Sequence, residues 1–296
     1  MKIRLANAPV SWGIFEFAGL EPPCPWAQVL DEIAETGYVG TELGPYGYLP
    51  TDPVQLKSEL DRRGLKLLSA FVPVNLVDRG AHETGLESAL QVGRLLAALE
   101  APMLVLADNN GSVPELVSQA GRRRGTYLQD WKSLAEGVEL VRRRVADELG
   151  LTTVFHHHCA GHVETPEETE ALLERSQVQL CLDTGHWHYA GGDSVECLKR
   201  WGSRVGYLHL KDCHPGIAQK CREQKLDYFA AVKAGLFCPL GEGEVDFPGL
   251  LAELARQGYD GWAVVEQDVL VEEREAPGRF ARQNREYLQS IGLVKE

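Results

Sequence analysis

The chain lacks an excess of basic residues. Of its 296 residues, 43 are Asp or Glu and only 30 are Lys or Arg, so the formal net charge is −13. Binding to nucleic acid or to an anionic membrane depends on Lys and Arg side chains that neutralise phosphates. We therefore expect neither kind of partner. The two short basic runs, residues 122–124 and 142–144, are interpreted as solvated helix faces.

Long apolar runs and paired cysteine motifs are also missing. No apolar run approaches the roughly 18 residues that a membrane-spanning helix needs. The first residues enter a predicted strand without the apolar region of a signal peptide. The seven cysteines show no Cys-x-x-Cys spacing, which argues against a disulfide framework or a zinc finger. We therefore expect reduced thiols and a cytoplasmic protein.

Several well-known catalytic motifs are absent as well. The sequence contains no P-loop, no Gly-x-Ser-x-Gly elbow and no His-Glu-x-x-His motif. No glycine-rich dinucleotide fingerprint follows the first predicted strand, which argues against an open doubly wound sheet. Cys159 beside His158 allows a thiol nucleophile, but a metal site is a simpler use of the surrounding residues.

Short apolar runs alternate with helical patterns along the whole chain, with no linker between them. The predicted strands are residues 3–8, 38–43, 65–72, 102–107, 151–157, 178–183, 205–210 and 261–266. The predicted helices are residues 26–36, 53–63, 83–99, 127–149, 166–175, 194–201, 226–235, 247–257 and 274–290. Glycines at 37, 64, 150 and 258 stand where a helix ends before a strand. Eight such units predict an α/β protein with a (β/α)8 barrel, as one domain over residues 1–296.

Four polar clusters each close an apolar run, at residues 155–158, 182–186, 208–212 and 264–268. The carboxyl ends of parallel barrel strands meet at one face, so these clusters are expected to share one site. Mixed imidazole and carboxylate ligands suit Mn²⁺, Co²⁺ or Zn²⁺ better than Mg²⁺. A metal of this kind can polarise a ketone and its neighbouring hydroxyl. The pattern predicts enolisation of a polyol ketone.

Each cluster also has a purely structural interpretation. Asp183 could cap the following helix, and Glu266 could form an ion pair across the barrel. A strand alternates its side chains, so His209 and Lys211 share one face, but His209 could be a hydrogen-bonded core residue. By the same alternation, His156 and His158 share a face, and the three consecutive histidines could form a structural cluster.

At these residues the chain resembles the xylose-isomerase-like barrels, a superfamily of sugar isomerases, epimerases and metal-dependent apurinic endonucleases. Within it, the similarity is greatest to the inosose dehydratases of inositol catabolism. The segments that carry the resemblance are residues 7–13, 40–45, 156–158, 183–186, 190–193, 209–212, 241–243 and 258–262, together with Glu266. They span nearly the whole chain in the family's order.

The resemblance implies a divalent metal, most plainly Mn²⁺ or Co²⁺ with Zn²⁺ as an alternative, held by residues from four strand ends. Asp183, His209 and Glu266 match three of the family positions. The fourth aligns with His156, where sugar epimerases carry Glu, although His158 is also open as the ligand. Losing that second Glu favours elimination over symmetric epimerisation.

The implied reaction is dehydration of 2-keto-myo-inositol through removal of the α proton and loss of the β-hydroxyl as water. Glu266 is the candidate base, and Lys211 or His186 the candidate acid. The candidates for contact with substrate are Glu42, His158, Asn7 and Trp12. A thiol cofactor such as glutathione and a homo-oligomeric assembly are both compatible with the resemblance.

Two other functions stay open from the sequence. A ketose 3-epimerase or sugar isomerase would share the metal and the enolate but release no water, and a non-catalytic polyol-binding barrel would hold no metal. A DNA endonuclease fits least, because the acidic chain shows no basic groove. Residues 108–126 are interpreted as a loop over the site, and residues 241–244 as a hairpin in the long insertion before the last barrel strand.

Overall fold

Parallel strands form a curled sheet in the computed structural model, which describes residues 2–16, 24–108, 111–270 and 276–293. The strands are β1 (Lys2–Asn7), β2 (Gly40–Thr41), β3 (Lys66–Leu67), β4 (Phe71–Val74), β5 (Met103–Asp108), β6 (Thr152–His156), β7 (Gln179–Asp183), β8 (Val205–Leu210), β9 (Asp212–Cys213), β10 (Phe237–Cys238) and β11 (Asp260–Val265). The main sheet has the order β3-β2-β1-β11-β8-β7-β6-β5-β4, while β9 and β10 form a separate antiparallel pair.

The two edges of the main sheet are halves of one extended segment. β3 pairs with β2 and β4 pairs with β5. Between them, Leu68 and Ala70 accept backbone hydrogen bonds from Met103 and Val105 at 3.2 and 3.0 Å. This segment therefore closes the sheet into a barrel with eight strand positions, and the predicted (β/α)8 fold is confirmed.

Helices surround the barrel close to their predicted positions. They are α1 (Trp26–Glu35), α2 (Pro53–Asp61), α3 (His82–Ala98), α4 (Pro114–Gln119), α5 (Trp131–Leu149), α6 (Pro166–Arg175), α7 (Thr184–Tyr189), α8 (Ser194–Trp201), α9 (Pro215–Gln224), α10 (Tyr228–Lys233), α11 (Phe247–Gln257) and α12 (Ala276–Ser290), with short 3₁₀ turns at Pro9–Trp12, Arg79–Ala81 and Gly202–Arg204. The sequence pattern missed α4, α7 and α9. Two of these have six residues, too few to show helical periodicity. The predicted start of the last helix, residues 274–275, lies outside the described residues.

Alternation along the strands separates two apolar layers. One set, which includes Val154, Cys181, Tyr207 and Val264, fills the barrel interior. Their strand neighbours pack outward against the helices in the larger core. Because side chains alternate along a strand, the residues two positions after these four also point inward, at the carboxyl-terminal mouth of the barrel.

Three expectations need correction. Residues 122–124 are not a solvated helix face, because Arg123 is buried and pairs with Glu164 and Glu168 at 3.3 and 3.2 Å. Residues 108–126 contain α4 and are not only a loop. Gly241 and Gly243 form no hairpin; their backbone amides donate to the buried Asp212 carboxylate at 2.8 and 3.0 Å.

The second basic run lies on the surface of α5, as predicted, with Arg144 paired to Glu148 on the same helix. All seven cysteines are free thiols. Within the described residues, no helix combines the length and apolar character needed to cross a membrane.

Candidate active site

Four buried side chains meet where β6, β7, β8 and β11 end, and we call them the four-ligand cluster: His156, Asp183, His209 and Glu266. Each offers one donor atom, and these atoms all lie within 4.8 Å of one another. The residues belong to four strands that are neighbours in the sheet. The structure thus brings together all four predicted metal ligands and places His156, not His158, among them.

The polar atoms of this cluster are poorly satisfied. Asp183 Oδ2, His156 Nδ1 and His209 Nδ1 are buried and have no hydrogen-bond partner among the described residues. Asp183 Oδ2 lies 3.6 Å from His156 Nε2 and 3.9 Å from His209 Nδ1. Buried polar atoms without partners are costly, and a cation bound between Asp183 and His209 would satisfy Asp183 Oδ2 and His209 Nδ1. The two imidazoles and two carboxylates suit Mn²⁺, Co²⁺ or Zn²⁺.

Asp183 serves the fold and the cluster at the same time. Its Oδ1 accepts the backbone N–H of His186 at 2.8 Å and so caps α7. Its other oxygen points to His156 and His209. The helix-cap interpretation and the ligand interpretation are therefore compatible, because each uses a different oxygen.

The orientation of His209 is set by Glu42, which follows β2 on the opposite side of the barrel. His209 Nε2 lies 3.0 Å from Glu42 Oε1, and the same oxygen accepts from Ser69 Oγ at 2.8 Å. A carboxylate oxygen accepts, so Nε2 carries a proton. Nδ1 faces Glu266 Oε2 at 3.2 Å and Asp183 Oδ2 at 3.9 Å, and it would offer its lone pair to a cation bound between them. Glu42 was predicted to contact substrate. In the structure it orients the candidate metal ligand His209 through the ring nitrogen that faces away from the cluster, as carboxylates do in many metal sites.

Lys211 is a fully buried cation beside the cluster. Its Nζ lies 3.3 Å from Asp183 Oδ2 and 3.1 Å from Glu266 Oε2, and it donates to Asp268 Oδ1 at 2.6 Å. Burial alone would lower the pKa of Lys211, but Asp183, Asp268 and Glu266 hold that pKa well above its ordinary value. The side chain therefore remains an ammonium.

A second set of buried residues lies on the far side of Lys211, and we call it the His–Asp cluster: His158, His186 and Asp268. Burial, followed by the charge of Lys211, lowers the pKa of His186. Lys211 Nζ lies 3.1 Å from His186 Nε2, and the other ring nitrogen of His186, Nδ1, accepts the backbone N–H of Cys159 at 3.4 Å. Tyr228 Oη donates to Asp268 Oδ2 at 2.7 Å.

A pocket opens from the mouth of the barrel onto both clusters. Its polar lining consists of Glu16, Glu42, His156, His158, Lys211, Glu266 and Asp268, and its walls include Phe15 and Phe71. Burial, reinforced by Glu266, Glu42 and Asp268, raises the pKa of Glu16 to about 8. The pocket therefore brings the Lys211 ammonium and the Glu16 carboxyl group together with two members of the four-ligand cluster, His156 and Glu266.

Sequence reasoning missed three residues of this site. Glu16 follows a 3₁₀ turn and ends no strand, and Tyr228 lies on α10 in the segment between β8 and β11, so no strand-end pattern marks either of them. Asp268 could have been predicted from the sequence. It stands two residues after Glu266, and strand alternation places both side chains on one face.

Two predicted substrate contacts lie elsewhere. Trp12 is buried in the outer core, where its Nε1 donates to Glu32 Oε2 at 2.6 Å, so its indole faces α1 and not the pocket. Asn7 is buried, and its Oδ1 accepts the Ala8 backbone N–H at 2.9 Å. It stands on the strand face opposite to Ala6 and Ala8, which belong to the barrel interior. The structure supports a structural role for both.

Eight parallel strand positions, four of which carry the four-ligand cluster at their carboxyl ends, define a (β/α)8 barrel with a candidate divalent-metal centre. The chain belongs to the xylose isomerase-like TIM barrel family, whose model matches residues 30–291.

Similarity extends to curated relatives. An inosose dehydratase from Geobacillus kaustophilus is 33% identical over 296 residues, covering 97% of this chain and 94% of that protein. The rhizopine catabolism protein MocC from Rhizobium meliloti is 34% identical over 274 residues, covering 90% of this chain and 82% of that protein. The predicted resemblance and the predicted enzyme class, a lyase, are confirmed.

One solved structure shows the shared fold. The IOLI protein with a bound zinc atom superposes with a TM-score of 0.70 at 16% identity, covering 98% of each chain.

Proposed function

We propose that this protein removes water from inosose, a cyclic polyol ketone, with the help of a divalent metal ion. The observation that carries the proposal is the four-ligand cluster with a buried ammonium next to it. The full-length similarity to an inosose dehydratase supplies the substrate. A metal at His156, Asp183, His209 and Glu266 would act as a Lewis acid on the substrate ketone.

Lys211 is the candidate acid for the departing hydroxyl. It lines the pocket, whereas His186 is not among the lining residues, and its Nε2 lies 3.1 Å from the Lys211 ammonium. The charges of Asp183, Asp268 and Glu266 keep the ammonium protonated. It can therefore donate a proton to the β-hydroxyl oxygen as the carbon–oxygen bond breaks, and water leaves.

Two carboxyl groups are candidates for removal of the α proton. Burial opposes ionisation of Glu266, but His209 and Lys211 lower its pKa to about 2, which makes it a weak base. Glu16 lines the same pocket with a pKa raised to about 8, closer to the value that suits proton transfer near neutral pH. Once ionised, its carboxylate would accept the proton more readily than Glu266.

The remaining pocket groups suit a substrate rich in hydroxyls. Glu42 lines the pocket, and its Oε1 is engaged by Ser69 and His209. His158 offers its ring from the strand face that also carries His156. The Glu42 carboxylate can accept hydrogen bonds from ring hydroxyls, and so can Nε2 of His158, whose Nδ1 is engaged by the Cys159 carbonyl.

The test is turnover of 2-keto-myo-inositol by enzyme loaded with Mn²⁺ or Co²⁺, followed by NMR and mass spectrometry. We expect loss of one water, abolished by a chelator. Lys211→Met should lower kcat by about 10²–10⁴-fold, as expected for loss of a general acid. The exposed Lys199→Met is the matched control and should leave kcat unchanged. Epimerised product of unchanged mass would overturn the dehydratase proposal in favour of a sugar epimerase, and an inert substrate would overturn both.

A further inference from the structure

The two buried clusters lie side by side, and each could hold a cation. Within the four-ligand cluster the donor atoms all lie within 4.8 Å of one another, and the same is true within the His–Asp cluster. Strand alternation links them, because His156 and His158 are two positions apart, as are Glu266 and Asp268. Two imidazoles and one carboxylate are a common ligand set for a divalent transition metal that keeps open coordination positions.

Lys211 Nζ lies between these two sets. On one side it approaches Asp183 Oδ2 and Glu266 Oε2 at 3.3 and 3.1 Å. On the other side it approaches Asp268 Oδ1 at 2.6 Å and His186 Nε2 at 3.1 Å. One ammonium thus contacts two acceptors from each cluster, as a bridging cation would.

The charges agree with this arrangement. The three carboxylates within reach of Lys211 are Asp183, Glu266 and Asp268. One divalent ion in the four-ligand cluster and one ammonium together balance these three negative charges. A second divalent ion would stand beside the ammonium in a buried setting, where repulsion between like charges is strong. The Lys211 ammonium therefore disfavours a divalent ion in the His–Asp cluster.

The path of the Lys211 side chain is also built into the fold. A Cβ added at Gly185 would lie 2.6 Å from Lys211 Cγ and 2.9 Å from its Cβ. Any larger residue at position 185 would displace the stem. Because Gly185 has no side chain, the Lys211 stem can pass beside it, and the ammonium lies between the two clusters.

We propose that the Lys211 ammonium takes the place of a second metal ion, and that His158, His186 and Asp268 form a latent metal site that becomes available when this ammonium is removed. The inference rests on the proposed function in one respect, namely that the four-ligand cluster binds a divalent metal ion. It assigns Lys211 the role of keeping the centre mononuclear. The ligand class of the latent site is a borderline divalent cation such as Co²⁺ or Zn²⁺.

Metal stoichiometry tests this inference without any measurement of activity. The folded, chelator-treated chain is titrated with Co²⁺, and bound metal is counted by elemental analysis and by visible absorption. We expect one ion per chain in the wild type and two in Lys211→Met. The Lys211→Arg variant keeps the positive charge and should bind one Co²⁺ ion per chain. Gly185→Ala, which only displaces the lysine, should raise the count above one.

The second ion must depend on the His–Asp cluster. Lys211→Met combined with Asp268→Asn should return the count to one ion per chain. Two ions in the wild type, or no more ions in Lys211→Met than in the wild type, would overturn the inference. The failure of the proposed function looks different: the wild type would bind no ion, while Lys211→Met would bind one that is lost with Asp268→Asn.

Discussion

Two buried aspartates, each at the end of a strand of the same barrel, have different surroundings. Asp108 ends β5 and Asp183 ends β7, and both are buried. The two oxygens of Asp108 accept backbone N–H groups of His162 and Val163 at 3.1 and 2.9 Å. Asp183 uses one oxygen to cap α7, and its other oxygen lacks a hydrogen-bond partner among the described residues.

Strand phase explains the difference. Cys181 belongs to the barrel interior, so Asp183, two positions later, points inward. On β5 the interior residue is Val105, which puts Ala107 in phase with the interior and Asp108 out of phase. A buried carboxylate at a strand end therefore marks a site when its phase points it inward and one of its oxygens faces other polar side chains, as Asp183 Oδ2 faces His156, His209 and Lys211.

The largest effect is expected for Asp183→Asn. The amide oxygen can still cap α7, but the negative charge at the four-ligand cluster is lost. Turnover of the proposed substrate should fall by about 10³-fold or more, because a bound metal contributes several kcal/mol to transition-state stabilisation. Metal content and kcat are measured together, with Asp108→Asn as the matched variant. Equal losses in the two variants would contradict the distinction between them.

A smaller effect is expected on the opposite side of the barrel, at Glu42. Glu42→Ala removes the carboxylate that orients His209, and loss of such a supporting partner lowers metal affinity by about 10–100-fold. Ser69→Ala, which leaves the bond between Glu42 and His209 in place, should lower the affinity less. Competition with a chromophoric chelator measures both. An unchanged affinity in Glu42→Ala would show that the carboxylate does not position the ligand.

Glu16 gives a pH-dependent comparison. Its pKa in the folded protein is raised to about 8 by burial and by Glu266, Glu42 and Asp268, from an ordinary value of 4.5. Between these values the unfolded chain is ionised while the folded chain holds the proton. This contribution to stability is therefore full below pH 4.5 and is lost as the pH rises towards 8.

Urea unfolding of the metal-free protein at pH 5, 7 and 9 tests this expectation. Glu16→Gln should flatten the fall in unfolding free energy between pH 5 and pH 9, because glutamine does not titrate. The exposed Glu87→Gln is the control and should keep the wild-type slope. If Glu16→Gln also kept that slope, Glu16 would titrate normally.

The sequence predicted most of the barrel and the four-ligand cluster, for a physical reason. Apolar strands, helix-ending glycines and polar strand ends are local features, and alternation correctly put His209 and Lys211 on one face. Contacts between distant segments were not readable. The bond from Glu42 to His209 joins residues 167 positions apart, and Tyr228 reaches Asp268 from α10. Trp12 stood in a matching segment, but nothing local showed that its indole faces Glu32.

The smallest effect on activity is expected for Asp108→Asn. Its carboxylate satisfies two buried backbone N–H groups of the segment after β6, and an asparagine has only one acceptor oxygen to offer them. Leaving one donor unsatisfied should lower the free energy of unfolding by about 1–3 kcal/mol. Metal affinity and kcat should stay near wild type, because the side chain is out of phase with the barrel interior. Denaturant unfolding and metal titration on the same preparation separate the two effects. A loss of metal with unchanged stability would place Asp108 in the site and remove the phase argument.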